Sequence, residues 1–153
     1  MKKNLFTSIE PYNLSLGIFF IRVILGILMA FLGYEKLIHF NEMAASDFWA
    51  KNVSFLGMSG KVSLGLTVFA EFFCSLLLIV GLLTRLALIP LTICMSYIVV
   101  KIINFNILES SEHGTNVNTA FVYLIIYVGL FLTGAGKFSI DYLLSRNKST
   151  YKY

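Results

Sequence analysis

Charged side chains are scarce in this sequence. Aspartate, glutamate, lysine and arginine make up 13% of its 153 residues, against 58% hydrophobic residues, whereas a soluble domain carries about 25% charged residues. The mean hydropathy is +0.81. The composition excludes an ordinary soluble domain and indicates an integral membrane protein. We therefore expect any chemistry to lie in the membrane bundle, its short loops or a partner subunit.

The motifs of common enzyme and metal sites are also missing. Cys74 and Cys94 lie in apolar runs, without the spacing of a zinc site or of a disulfide scaffold. The sequence contains no nucleotide-binding loop, no Ser/His/Asp set and no metal-ligand spacing. The net charge of +4 gathers near the ends of apolar runs, where basic residues set topology. We expect no metal and no nucleic acid, and the lipid bilayer as the main partner.

Long apolar runs predict an all-α, integral membrane bundle of four transmembrane helices that forms one domain over residues 1–153. The predicted helices cover residues 14–40, 62–83, 86–107 and 119–134. The remaining segments are two outer loops, over residues 41–61 and 108–118, and a cytoplasmic tail over residues 137–153.

The distribution of charge predicts the orientation of this bundle. The basic residues on the side of the two termini are Lys2, Lys3, Arg85, Lys137, Arg146, Lys148 and Lys152. The opposite side carries the acidic residues Glu42, Asp47, Glu109 and Glu112. By the positive-inside rule, both termini and the turn at Arg85 are cytoplasmic, so the topology is N-in and C-in.

One stripe of the first predicted helix combines cations with small residues. Arg22, Gly26, Met29, Gly33 and Lys36 follow a 4-3-4-3 spacing, which places them on one helical face. The glycines permit another backbone to approach closely, and cations inside a membrane helix usually face the bundle interior. This stripe is therefore expected to point inward.

Glu71 is the carboxylate that needs a partner, because an ionised carboxylate in hydrocarbon costs at least about 2.5 kcal/mol. Helix rise places Arg22 about 12 Å and Glu71 about 18 Å above the cytoplasmic boundary, which allows an Arg22–Glu71 pair. Such a pair would either fix the helix register or serve a ligand-binding or proton-handling site. Cys74 and Cys94 share one depth, either as candidate redox thiols or as small buried residues.

Three segments together resemble the DoxX family of small four-helix bacterial membrane proteins. They are Arg22 to Gly26 continuing through Phe31 to Leu37, Ala70-Glu71 followed by Leu77 to Ala87, and Gly134 to Asp141. The similarity extends from about Leu16 to Asp141, and it implies a multi-pass protein of the bacterial cytoplasmic (inner) membrane.

The resemblance implies a redox-linked subunit that contacts a quinone or a small reduced sulfur species, with electrons exchanged with a partner protein. Whether the chain is itself an enzyme stays open. Glu71 and Arg22 are the candidate catalytic residues. The candidate pocket residues are Arg22, Lys36, Tyr97, Lys101, Tyr123 and Tyr127, and the candidate redox thiols are Cys74 and Cys94.

Two other functions stay open at this point. The chain could be a non-enzymatic scaffold or assembly partner, alone or as a homo-oligomer, in which small residues such as Gly26 and Gly33 serve helix packing. It could also be a pathway for a small solute, which needs a continuous polar line across the bilayer. The polar stripes of the sequence are interrupted, which favours the pathway least.

Overall fold

The computed structural model describes residues 11–49, 57–111 and 114–150, and this part of the chain is mainly helical. Its helices are α1 (Pro11–Ile38), α2 (Phe40–Ala45), α3 (Gly60–Val68), α4 (Ser75–Val80), α5 (Thr84–Tyr97), α6 (Thr119–Thr133) and α7 (Ile140–Thr150). Two π-helical segments, π1 (Phe69–Cys74) and π2 (Ile98–Ile102), and two short strands, β1 (Leu108–Ser111) and β2 (Gly114–Val117), complete it.

Within the described residues, three helices are long and apolar enough to cross a membrane: Leu14–Ile38, Gly60–Val80 and Thr84–Ile102. A shorter apolar helix follows at Thr119–Thr133. Large apolar side chains such as Phe31, Leu86 and Leu132 are exposed on the outside of these helices. This surface fits a lipid surround, because water would make such extensive apolar exposure costly.

The second long helix is continuous from Gly60 to Val80, but its middle turn is π-helical. This segment, π1, carries Glu71. The third long helix likewise changes from α-helix to π-helix after Tyr97. Single π turns inside α-helices are rare and occur often at functional sites, so both segments mark the region to inspect first.

The stripe of α1 packs against the second long helix along its whole length. An added Cβ at Gly33 would come within 2.5 Å of the Phe72 amide nitrogen, and one at Gly26 within 3.2 Å of the Ser75 carbonyl oxygen. Met29, between these glycines, is buried. Because contacts later in α1 meet residues earlier in the second helix, the two helices run antiparallel, and the glycines set how closely they approach.

Hydrogen bonds across the chain hold the end of the bundle near residue 81, which we call the inner end as a label only. Arg22 Nη2 donates to the Phe138 carbonyl oxygen at 2.7 Å. The amides of Leu83 and Thr84 donate to the two carboxylate oxygens of Asp141 at 2.7 and 2.8 Å. Asp141 thus satisfies backbone N–H groups that the first turn of α5 leaves without partners.

The surroundings of Asp141 shift the pKa of its carboxyl group from the ordinary value. Burial raises the pKa, but hydrogen bonds from Thr84 and Leu83 and the nearby positive charge of Arg22 together outweigh it. The pKa therefore lies below its ordinary value of 3.8. The folded protein favours the charged carboxylate.

Three segments differ from the expectation of loops and tail, and the first is the expected outer loop over residues 41–61, which contains most of α2 (Phe40–Ala45). Residues 108–118 include the antiparallel pair β1 and β2, with Leu108 opposite Val117 and Ser111 opposite Gly114. The strands let a polar segment bond its own backbone groups, a solution that its composition does not reveal. The expected loop residues 50–56, and 112–113 between the strands, lie outside the described residues.

The expected tail contains a helix, α7, whose start has a capping signal that the sequence interpretation missed. Ser139 Oγ accepts the Tyr142 amide at 3.2 Å and donates to the Gly136 carbonyl oxygen at 2.7 Å. Serine at this position is a common helix start. Residues 151–153 of the expected tail lie outside the described part of the chain.

We expect Gly81→Ala to destabilise the protein by at least about 2 kcal/mol. Gly81 has φ +74°, and an added Cβ would overlap the Arg22 guanidinium. The matched control is Gly129→Ala, because Gly129 lies in α6 with nothing within 4 Å of an added Cβ. That change should be neutral or stabilising by about 0.5–1 kcal/mol. Denaturant unfolding in detergent measures both; equal effects would contradict the tight fit around Gly81.

We expect Asp141→Asn to cost about 1 kcal/mol near neutral pH, because it weakens the bonds to the start of α5. A lowered folded pKa stabilises the protein above the ordinary value of 3.8, and this stability is lost as the pH falls through the folded pKa. The stability difference between wild type and variant should therefore be constant above about pH 5 and shrink in acid. Glu42→Gln, at an exposed position, is the control. A stability difference between wild type and Asp141→Asn that widens in acid would contradict a lowered pKa of Asp141.

Candidate functional site

A buried ion pair joins α1 to π1. Lys36 Nζ lies 2.5 Å from Glu71 Oε2. The Glu71 residue is only 2% exposed, whereas the Lys36 side chain retains 22% exposure. Gly33 allows the backbones to approach here, since it lies against Glu71 and Phe72. The pair therefore places a carboxylate inside the bundle and leaves its cation partly accessible.

The expected pairing of Arg22 with Glu71 is corrected by this geometry. Arg22 lies against Gly81 at the inner end, with a hydrogen bond to Phe138. Glu71 is ten residues before Gly81, a distance of about 15 Å along the helix, which exceeds the reach of an arginine side chain. The depth estimate counted both helices from one boundary, whereas Arg22, eleven residues after the start of α1 at Pro11, lies level with Gly81 at the end of the second long helix. Lys36 on the same stripe takes the place assigned to Arg22.

A cavity of about 490 Å³ lies beside the ion pair. Its polar lining residues are Lys36, Ser63, Thr67, Glu71, Cys94 and Tyr97. The rest of the wall is largely apolar and includes Phe48, Trp49, Phe69, Pro90 and Ile93. Several wall residues, such as Leu66, Phe69 and Ile93, are themselves exposed on the outside of the helices. The cavity therefore lies close to the apolar outer surface of the bundle.

The two cysteines occupy different places, and both are free thiols. Cys94 and Thr67 both lie in the cavity wall, and Thr67 Oγ1 donates to the Ser63 carbonyl oxygen at 2.9 Å. Cys74 is buried in the hydrophobic core instead. The candidate redox thiols are thus not a bonded pair, and only Cys94 lines the cavity.

The predicted pocket residues divide into three groups. Lys36 and Tyr97 line the cavity. Lys101 lies with Tyr97 along a shallower groove of about 320 Å³ on the outer side of α5 and π2. Arg22, Tyr123 and Tyr127 do not line the cavity; the two tyrosines are buried in the core with ring centroids 5.9 Å apart. The correction follows from α6, which packs its tyrosines against α5 rather than toward the cavity.

Eleven of the lining residues were not predicted as site residues. Among them, Thr67 and Ser63 lie one and two turns before Glu71 on the same helix, so helical spacing from Glu71 could have identified them. Phe48 and Trp49 come from the segment after α2 and form a T-shaped aromatic pair 5.7 Å apart. The sequence assigned them to the outer loop over residues 41–61, and only the fold brings them to the cavity wall.

No metal-binding group appears in the described ranges: no cluster of three or more His, Cys, Asp or Glu side chains could hold an ion there. The arrangement instead combines an apolar space, a cation, a carboxylate, a thiol and a phenol. Such a set can bind an apolar ligand by a polar group and exchange protons with it.

Comparison with known proteins gives one family. The family model DoxX matches residues 17–103, which include most of α1, the ion pair and every residue of the cavity wall. No curated protein and no solved structure matches the chain.

We expect Lys36→Met to destabilise the protein by about 3 kcal/mol, because it leaves the Glu71 carboxylate buried without its partner. Adding Glu71→Gln to that variant should restore most of the loss, since the buried charge is then gone. Unfolding in detergent provides the double-mutant cycle. Arg22→Gln and Glu71→Gln form the control cycle, which should be additive within about 0.5 kcal/mol. Coupling in the control cycle and none in the first would contradict the Lys36 assignment.

Proposed function

The chain belongs to the DoxX family, and from this premise we propose that it is a redox-linked membrane subunit whose cavity binds the ring of a quinone. The observation that carries the proposal is the position of the Lys36–Glu71 pair in the wall of an apolar cavity of about 490 Å³. Ligand sites commonly combine such an apolar space with a few polar groups.

The charges of the cavity favour a neutral ligand. Lys36 and Glu71 together carry no net charge, so an anion entering the cavity would meet the carboxylate as well as the ammonium. An apolar wall would also have to replace the hydration of that anion. A neutral, lipid-soluble quinone avoids both the repulsion by the carboxylate and the loss of ionic hydration. The cavity therefore favours a quinone over a small anionic sulfur species.

Lys36 is the residue that would orient the ligand. Its ammonium has three donors, and Glu71 accepts from it. The remaining N–H groups can donate to a quinone carbonyl oxygen while the ion pair stays intact. The Tyr97 hydroxyl belongs to the same wall, and Trp49 and Phe48 supply aromatic surface for the ring.

Glu71 is the residue that would handle protons. A bound quinone supplies two-electron redox chemistry, in which reduction takes up two protons and oxidation releases them. The electrons would pass to or from a partner protein. Glu71, in the cavity wall and bonded to Lys36, is placed to accept or give a proton at the ligand. Arg22 is too far along the bundle to take part, so its proposed role becomes structural.

The proposed setting is the bacterial cytoplasmic membrane, with four transmembrane helices and both termini in the cytoplasm. In support, Arg85 and Lys137 are exposed near the inner end held by Arg22 and Asp141, whereas Glu42 and Asp47 lie at the other end of α1. Basic residues favour the cytoplasmic side. The cavity would then lie in the outer half of the bilayer.

The alternative function, a membrane scaffold, requires a surface on which a partner protein can pack. Gly26 and Gly33 are used inside the chain, against the second long helix, so they are not available to another protein. Gly129 on α6 is different, because an added Cβ there meets nothing within 4 Å. A partner subunit or a second copy could pack closely at this position.

The test is binding of a short-tailed ubiquinone analogue to purified protein in lipid nanodiscs. Wild type should bind saturably. The neutral variant Lys36→Met/Glu71→Gln should bind about 10- to 100-fold more weakly, because it lacks the charged donor.

Lys101→Met is the matched control, since Lys101 borders the outer groove and not the cavity; its affinity should equal that of wild type. Excess thiosulfate should not displace the analogue. Displacement by thiosulfate would favour the sulfur species, and absence of saturable binding to wild type would leave the scaffold function as the better account.

A further inference from the structure

Besides Thr84 at the start of α5, three buried side chains on the inner side of Glu71 carry polar atoms that bond to no other described residue. They are the Tyr127 hydroxyl, the Ser75 hydroxyl, and Nε and Nη1 of Arg22. Each of the three residues is fully buried, at 0% exposure. Buried polar atoms are almost always bonded to protein or to water, because a missing hydrogen bond in an apolar interior is costly.

These residues follow one another along the seam between α1 and the second long helix. Ser75 is four residues after Glu71, so its side chain lies one turn closer to the inner end on the same face. Its carbonyl lies against Gly26, and Arg22 is one turn before Gly26 in α1. The unpartnered groups therefore continue from Glu71 toward Arg22.

Tyr127 approaches this seam from α6. Its hydroxyl interacts electrostatically with Glu71, Cys94 and Tyr123. Glu71 contacts Lys36 from α1 and lies within electrostatic range of Cys94 from α5 and Tyr127 from α6. Lys36 and Cys94 border the cavity, whereas Tyr127 does not. Glu71 has one side toward the ligand cavity and another toward unpartnered hydroxyls in the core.

We propose that Tyr127 and Ser75 hold internal water beside Glu71, on the side away from the cavity, so that Glu71 exchanges protons with the bundle interior as well as with a bound ligand. Water suits these groups because each hydroxyl can both donate and accept, and a water molecule needs two to four polar partners. The site uses Glu71 as an acceptor and the hydroxyls of Tyr127 and Ser75 as further partners.

The hydration itself is independent of the ligand, but its use as a proton supply depends on the proposed role of Glu71 in redox chemistry. A proton taken from a quinol at the cavity could then leave on the other side of the carboxylate. This arrangement separates the path of the proton from the entry of the apolar ligand.

The experiment is water-edited solid-state NMR on the full chain in lipid bilayers. Magnetisation from water should reach the side-chain carbons of Tyr127 and Ser75 at least about threefold faster than those of Leu88, which is equally buried. Transfer to Tyr127 and Ser75 as slow as that to Leu88 would overturn the proposal.

Variants test whether this water serves Glu71. In Tyr127→Phe/Ser75→Ala, water transfer to the Glu71 carboxyl carbon should fall at least about threefold. Tyr123→Phe is the matched control, because Tyr123 stacks on Tyr127 one turn away without an unpartnered buried hydroxyl, and it should leave the transfer unchanged. Equal transfer in the double variant and wild type would overturn the proton-supply role.

Melting temperature gives a second, independent readout. If the two hydroxyls were dry, removing them would relieve unpaired polar groups, and both Tyr127→Phe and Ser75→Ala would melt at a higher temperature. Hydrated hydroxyls predict an unchanged or lower melting temperature, and an increase in both variants would overturn the proposal. Neither readout uses a quinone, so a failure to bind quinone would count against the proposed function alone.

Discussion

The ion pair between Lys36 and Glu71 is the interaction on which the arrangement of the outer half of the bundle depends. A carboxylate that is 2% exposed inside apolar helices is tolerated only with a charged or hydrogen-bonding partner. Lys36 can provide one because Gly33 brings α1 against the backbone of π1. Charge pairing therefore depends on close packing here, because a larger residue at position 33 would move Lys36 away from Glu71 and leave the buried carboxylate without its partner.

The inner half uses a different solution for its own buried charge. Arg22 fits into the space that Gly81 leaves and bonds to the Phe138 carbonyl, while Asp141 bonds the first amides of α5. This set ties the first helix, the turn at residue 81 and the start of α7 together. The chain thus divides its intramembrane charges between an outer pair beside a cavity and an inner arginine that joins segments far apart in sequence.

The sequence predicted the large features because the proportion and spacing of apolar residues identify membrane helices. The inward stripe of α1 and the long apolar helices follow from residue type and helical periodicity. The partner of Glu71 could not be obtained this way. Counting residues from estimated helix ends placed Arg22 within reach, because the count assumed that both helices begin at one depth, whereas α1 extends past the end of the second helix. Relative register depends on which glycine meets which backbone, and that is decided by tertiary packing.

The same limit applies to the cavity. The positions of Thr67 and Ser63 in the cavity wall could be predicted from their spacing to Glu71. Phe48 and Trp49 reach the cavity from a separate segment, which helical periodicity cannot connect to it. The hydroxyls of Tyr127 and Ser75 illustrate a further limit. Their significance lies in having no partner, and a missing contact can be recognised only when all neighbours are in place.

The π turn at Phe69–Cys74 also affects how this chain should be aligned with other members of its family. A π turn accommodates an additional residue that an α turn does not. A relative that lacks one residue here can close the turn as an ordinary α-helix, while the segments on either side keep their faces toward the bundle. The carboxylate would then point in a different direction, although both flanking segments still align. A one-residue gap at this turn would therefore separate members that keep the carboxylate beside the cavity from members that share only the fold.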